Sequence, residues 1–352
     1  MARYTDALKA ELERRAVPLA GRYGPPRTVY LGGGTPTALP ETLMARLLAA
    51  IRRSLFPSGG AGPLEFTVEA NPGTVDASYL SMLRQSGVSR ISFGVQSFDD
   101  SLLRRIGRIH TAVQAEEAFR AARQAGFTNI SLDLMYGLPG QTLDDLRDSV
   151  EKAVALGPDH ISIYGLQVEE GTVFFRERES GRLTLPTEQE AEEMYDFMTR
   201  RLPEAGYARY EISNFARPGF ESRHNLSYWQ DVPYLGIGAA AHSYLAGVRY
   251  ENERELSAYL SLVEAGKSPA RQEEPATRQI AMEEFCFLAL RTARGIDKQR
   301  FRERFGVTLS SVYAAAIRRM KAKGLLAEDA EAVRLTELGM KYGNWAFEAF
   351  LL

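Results

Sequence analysis

Two stretches of this 352-residue chain carry residue types and spacings suited to chemistry. The first is TVYLGGGTPTALP, residues 28 to 40, where an apolar run ends in Gly32, Gly33, Gly34 and Thr35. Consecutive glycines remove side chains where something must lie against the backbone and use its N–H and C=O groups. A phosphate loop would need Gly-Lys-Ser/Thr, but no lysine lies between Lys9 and Lys152. A dinucleotide fingerprint would need a third glycine, yet Gly34 runs into Thr-Pro-Thr. What remains is a polar ligand laid edge-on against bare backbone. The second stretch is RHNLSYW, residues 223 to 229. His224 and Tyr228 are four apart and share a face in a helical turn. A neutral imidazole is a good iron ligand, and Arg223 suits a carboxylate. A histidine simply hydrogen-bonded in an interdomain wall satisfies the same residues. His242, in GAAAHSY, is a weaker second candidate.

These residues need a scaffold, and the pattern supplies one. Strand-like and helix-like segments alternate: RTVYLGGG then PETLMARLLAAIRRSL, LEFTVEANP then DASYLSMLRQSG, RISFGVQSF then TAVQAEEAFRAARQAGF, NISLDLMYGLPG then TLDDLRDSVEKAVALG, and a fifth strand HISIYGLQ. The strands read as short and mostly apolar on both faces, each followed by a helix, which predicts a parallel sheet covered by helices. Gly32 to Thr35, Glu69, Gln96 and Asp133 all fall at the carboxyl ends of strands, the edge that carries active sites in such folds. Residues 200 to 270 break the alternation and read as β structure mixed with loops. From about Thr277 the pattern turns helical again and ends in the strand-like AVRLT, a winged-helix-like tail.

Composition bounds the rest. Hydrophobic content of 45%, charged content of 25% and a formal net charge of −2 are those of an ordinary globular protein, with no general pull toward nucleic acid or an acidic surface. A single cysteine, Cys286, excludes an internal disulfide and sits in the apolar EEFCFLALR, where a buried structural thiol is expected. The charged start MARYTDALKAELERR is unlike a signal peptide, and no apolar run is long enough to span a bilayer. A cytoplasmic location is expected.

The motifs GGGTPT, EANPGT, GVQSF, GRIH, SLDLMYGLPGQT, YEISNFARPG and RHNLSYW together resemble the radical S-adenosylmethionine proteins related to oxygen-independent coproporphyrinogen III oxidase, nearest to their haem-chaperone branch. The resemblance covers essentially the whole chain. It implies an open, partial (β/α) barrel lacking its first strand (residues 1–200), a β/loop extension with the HNLSYW motif outside the barrel (201–275) and a winged-helix-like C-terminal domain (276–352). It also implies that Gly33, Gly34 and Thr35 contact the methionyl end of S-adenosylmethionine, with Glu69, Gln96, Arg108 and Asp133 completing the polar shell. His224, Asn225 and Tyr228 are implied in haem binding, with His224 as the iron ligand.

The family's chemistry rests on a [4Fe-4S] cluster held by Cys-x3-Cys-x2-Cys, and this chain has no such loop. The chain opens on what reads as the first barrel helix, so a truncated start about thirty residues short is expected, with true loss of the cluster as the alternative. The function expected is a haem chaperone delivering haem to an acceptor protein, with any membrane contact peripheral and made through that acceptor. The alternative is an oxidase decarboxylating coproporphyrinogen III. Residues 296 to 324 carry eight basic and two acidic residues, which raises nucleic-acid binding. A solvated helix face accounts for them more simply, and no nucleic acid is expected.

Overall fold

The computed structural model describes residues 1–56 and 62–351. Five parallel strands run in chain order: β1 (Thr28–Leu31), β2 (Glu65–Ala70), β3 (Arg90–Gln96), β4 (Ile130–Tyr136) and β5 (His160–Gly165). The helices that return the chain between them follow the expected signals. Helix Glu41–Leu55 buries Met44, Leu47, Leu48, Ile51 and Leu55, a three-and-four spacing that makes one apolar stripe. Each such side chain contributes about 1.5–3 kcal/mol when fully buried. Thr111 and Thr142 start the helices Ala112–Gln124 and Leu143–Leu156 with reciprocal capping boxes. The helices and one face of the sheet share the largest core, which includes Phe66, Val68, Phe93, Ile91, Leu132 and Ile161.

Two expectations need correction. The strands are not apolar on both faces: Glu65, Thr67 and Glu69, then Arg90, Ser92 and Gln96, then Ser131 and Asp133, then His160 and Ser162 alternate with the core residues. Period-two alternation puts all of these on the face away from the helices. The sheet curls about that polar face, bringing Tyr30 on β1 within electrostatic reach of Asp133 on β4 and of the Tyr164 phenol on β5.

The second correction concerns residues 201–275. Two short strands from that segment, β6 (Ala208–Arg209) and β7 (Asn214–Ala216), extend the same sheet in the order β1-β2-β3-β4-β5-β7-β6, with β7 antiparallel to β5. Residues 208–216 therefore belong to the main sheet and not to an extension outside it. The remainder of the segment forms an antiparallel sheet of β8 (His242–Leu245), β9 (Val248–Asn252) and β10 (Ala270–Gln272). The N-terminal helix ties down this part. Glu11, 1% exposed, accepts from Arg15, Asn252, the Gly238 N–H and the Tyr259 hydroxyl. A buried carboxylate with that many donors is fully compensated.

The C-terminal part has its own core around Phe301, Tyr313 and Phe350. It is built from the helices Arg278–Leu290, Lys298–Phe305 and Leu309–Ala322 and an antiparallel sheet of β11 (Ile296–Asp297), β12 (Leu326–Glu328) and β13 (Ala332–Leu335). Several of its basic residues are spent within the chain: Lys298 on Glu328, Arg300 on the Gln230 carbonyl, Arg304 on Asp231 and Tyr244. No helix among the described residues is long and apolar enough to cross a membrane.

Candidate functional site

The polar face of the sheet holds two clusters, one at each end. At the carboxyl edge, Gly32 to Thr35 are exposed as they leave β1. Gly33 and Gly34 have φ of +83° and +73°, and a Cβ added to either would meet nothing within 4 Å. Their backbone conformation demands glycine, and the space beside them is open to a ligand. Gly32 is different: a Cβ there would stand 2.5 Å from Tyr30 Cε1 and 2.9 Å from Glu69 Cδ. Two of the three glycines keep the edge bare, and the third makes room for a tyrosine–carboxylate pair.

In that pair the Tyr30 hydroxyl donates to Glu69 Oε1 at 2.5 Å, while the Gly33 N–H donates to Oε2 at 3.1 Å. Burial, with the charge of Asp133 adding to it, raises the Glu69 carboxyl above its usual range. A carboxylate has about four lone-pair sites, so Glu69 can still accept from a ligand ammonium or hydroxyl. Asp133 lies among three hydroxyls: Ser162 donates to Oδ1 at 2.7 Å, Ser131 to Oδ1 at 3.3 Å, and Ser92 to both oxygens at 3.1 and 3.0 Å. Its Oδ2 keeps room for one more donor. Burial raises Asp133 too, against the lowering effect of the serines.

Arg108 is half-buried beside Asp133, close enough for the two charges to interact, and its guanidinium has no hydrogen bond or ion pair to another described residue. An unspent planar fork suits a ligand carboxylate. Gln96 ends β3 in the left-handed region, φ +69°, where a bulge shifts the β3–β4 register between Gly94 and Gln96. His110 underpins the bulge, with its ring nitrogens 3.1 Å from the Val95 carbonyl and 3.1 Å from Asn71 Oδ1.

The other cluster sits at the amino ends of the strands. RHNLSYW is a helix, Arg223–Trp229, and it is not outside the barrel: it seats against the polar face of β1 and β2. Its amino end is held by Glu65, 4% exposed, which accepts from the N–H groups of Arg223 (2.9 Å) and His224 (3.0 Å) and from Ser222 Oγ (3.4 Å). A carboxylate fits there because a helix amino end presents unpaired N–H groups and positive potential. Asn225 gives its N–H to the Ser222 cap. His224 is bonded at both nitrogens, Nδ1 to Thr28 Oγ1 at 2.9 Å and Nε2 to the Tyr228 hydroxyl at 2.8 Å. Its ring stacks on Tyr30 with centroids 4.8 Å apart at 18°. At the far end of the helix, Arg291 lies over the Trp229 ring at 4.6 Å, fastening it to the C-terminal part. His242 is elsewhere, on β8, 3.8 Å from Glu251.

Between the clusters runs a buried chain of hydrogen bonds. The Ser222 N–H donates to the Tyr210 hydroxyl, which donates to His160 Nε2 at 2.8 Å; His160 Nδ1 faces Ser131 Oγ at 2.8 Å, and Ser131 donates to Asp133. The directions agree for a neutral imidazole protonated on Nδ1. Burial, and then the neighbouring charge of Arg90, hold His160 well below the usual 6.5. An unfolded chain takes up a proton below that pH which the folded imidazole refuses, so this contribution is complete above about pH 6.5 and is lost as pH falls. Between pH 7.5 and 5.5 the wild type should lose about 1.4 kcal/mol more unfolding free energy than His160→Gln, measured by urea titration. The difference between the two proteins cancels the opposing contribution of the raised carboxyls. Equal pH dependence would remove the neutral assignment.

Sequence reasoning missed Thr28, Tyr30, Glu65, His160 and Tyr210. The signal for Glu65 and His160 was present, since each begins a strand on the same parity as Glu69 and Ser162.

A cluster of the kind the family uses does not fit the residues present. Cys286 is fully buried in the C-terminal core, its thiol pushed up by burial, and the described residues contain no group of three or more His, Cys, Asp or Glu able to hold a metal. The edge does fit a zwitterionic ligand such as the methionyl end of S-adenosylmethionine: bare backbone, acceptors with spare lone pairs, and an unspent guanidinium.

The Radical SAM superfamily model matches residues 2–153, the part that holds this parallel sheet and its bare carboxyl edge, and the HemN C-terminal domain model matches residues 276–342. The solved structure of Escherichia coli coproporphyrinogen III oxidase, HemN, superposes with a TM-score of 0.84 at 24% identity, covering 99% of this chain and 82% of that one, a likeness of fold. The heme chaperone HemW of Bacillus subtilis is 42% identical over 97% of this chain and 90% of its own length, and that of Escherichia coli is 34% identical over 92% and 84%. The chain belongs to the HemW family.

Proposed function

We propose that this protein is a haem chaperone, binding haem and passing it to an acceptor protein. The observation that carries this reading is the family membership, extending over nearly the full length of relatives named heme chaperone HemW. The 223–229 helix supports it by placing an imidazole and a phenol side by side against the sheet. His224 is the proposed iron ligand, with Asn225 and Tyr228 beside it. Since Nε2 is bonded to Tyr228, iron ligation there requires that hydroxyl to leave.

In the same reading the carboxyl edge binds S-adenosylmethionine. Arg108 would meet its carboxylate and Glu69 its ammonium, while Gly33, Gly34 and Thr35 lie along the methionyl chain. Gln96 and Asp133 would take the remaining hydrogen bonds. When bound beside a [4Fe-4S] cluster in this family, S-adenosylmethionine supplies radical chemistry; this chain's residues contribute binding and orientation. Behind the oxidase alternative stand the likeness of fold to HemN and the match of residues 276–342 to the HemN C-terminal domain.

Haem titration of the folded chain tests the proposal. A saturable Soret change at one equivalent, followed by loss of the band to an added apo-haem protein, is expected. Absence of saturable binding would end the chaperone reading.

A further inference from the structure

The two clusters share one side chain. Tyr30 gives its hydroxyl to Glu69 at the carboxyl edge and its ring face to His224 at the helix. Gly32 lacks a Cβ where one would collide with Tyr30 and Glu69 together. We propose that Tyr30 is the positioning residue common to both ligand sites, and that through it a cationic ligand on Glu69 weakens haem ligation at His224. The proposal rests on the functional reading above and adds to it a coupling between its two ligands.

The sign follows from the contacts. His224 is held by Thr28, by Tyr228 and by the flat stack on Tyr30. To offer Nε2 to an iron, it must give up Tyr228, and a bulky planar ligand on that nitrogen needs room beside the Tyr30 ring against which the imidazole is stacked. Whatever pins Tyr30 therefore pins His224 in its present place. The pin is the phenol–carboxyl bond. A ligand ammonium on the spare lone pairs of Glu69 gives that carboxyl a further anchor besides the Gly33 N–H, so the occupied edge fixes the acceptor of the Tyr30 hydroxyl, and with it Tyr30, more firmly than the empty one. Linkage makes the effect reciprocal: haem must weaken S-adenosylmethionine by the same factor.

A purely structural Tyr30, present only to pack beside Gly32, would give none of this, and Tyr30→Phe separates the two cases because it keeps the ring and loses only the hydroxyl. Haem is titrated into the full chain by Soret absorbance, with and without saturating S-adenosylmethionine. In the wild type the apparent Kd for haem should rise about fivefold with S-adenosylmethionine, the low end of ordinary coupling between sites. In Tyr30→Phe the ratio should fall to about one, with haem affinity no weaker than wild type, since the pin is gone. A second readout needs no haem: in the proton NMR spectrum of the haem-free chain, the His224 ring resonance, assigned by its loss in His224→Ala, should move on adding S-adenosylmethionine in wild type and stay still in Tyr30→Phe. If both ligands bind but haem affinity ignores S-adenosylmethionine, or Tyr30→Phe keeps the wild-type ratio, the coupling is wrong and the ligand sites stand. If either ligand fails to bind the wild-type chain, the functional reading falls and takes the coupling with it.

Discussion

His224→Ala should shift the Soret band of the haem-loaded protein and weaken haem binding by about tenfold to a hundredfold, the scale on which altered metal surroundings act. Loss of an iron–imidazole bond is the direct cause. The substitution also removes the bonds to Thr28 and Tyr228 and the stack on Tyr30, so its spectrum must be taken on protein shown to be folded. His242→Ala is the matched control: that imidazole is exposed on β8, and its removal should leave band position and affinity unchanged. Tyr228→Phe sharpens the test, because freeing Nε2 from its hydroxyl partner should tighten haem binding or leave it equal. Identical spectra and affinities for wild type and His224→Ala would remove this residue as the ligand.

Glu65→Ala should unfold more easily than wild type by about 2–3 kcal/mol in urea titration, because it strands the N–H groups of Arg223 and His224 without an acceptor. The helix it holds has seven residues and no fully buried side chain, so apolar burial cannot compensate. Glu65→Gln keeps one acceptor oxygen and should cost about half as much. Haem affinity should fall in Glu65→Ala together with stability, since the amino end of the helix carries His224. A change in stability below about 0.5 kcal/mol would show that the helix is held chiefly by Trp229 and Arg291 at its other end.

The repeating strand–helix pattern, the glycine turn after β1 and the acids at the strand ends were legible in the chain because they are local. Periodicity, capping residues and positive-φ glycines act over a few residues, and Thr111, Thr142, Gly33 and Gly34 do in the fold what their neighbours in sequence require. The family resemblance was legible for the same reason, being carried by short contiguous motifs such as GGGTPT and RHNLSYW. Tertiary structure decided where those motifs meet. Nothing near residue 224 says that Glu65 will cap its helix or that Tyr30 will stack on its ring, because those partners are far away in sequence and are brought close only when the sheet curls and β7 folds back beside β5. Strand alternation likewise hid the polar face: a strand seen alone shows apolar and polar residues in turn, and only packing against the helices shows which half is core. Sequence by itself therefore determined the elements and the kinds of group they carry. The curl of the sheet decided that an edge of bare glycine and a histidine helix would share one tyrosine, since hydrogen bonds and ring stacking act over a few ångströms while the residues that make them are scattered along the chain.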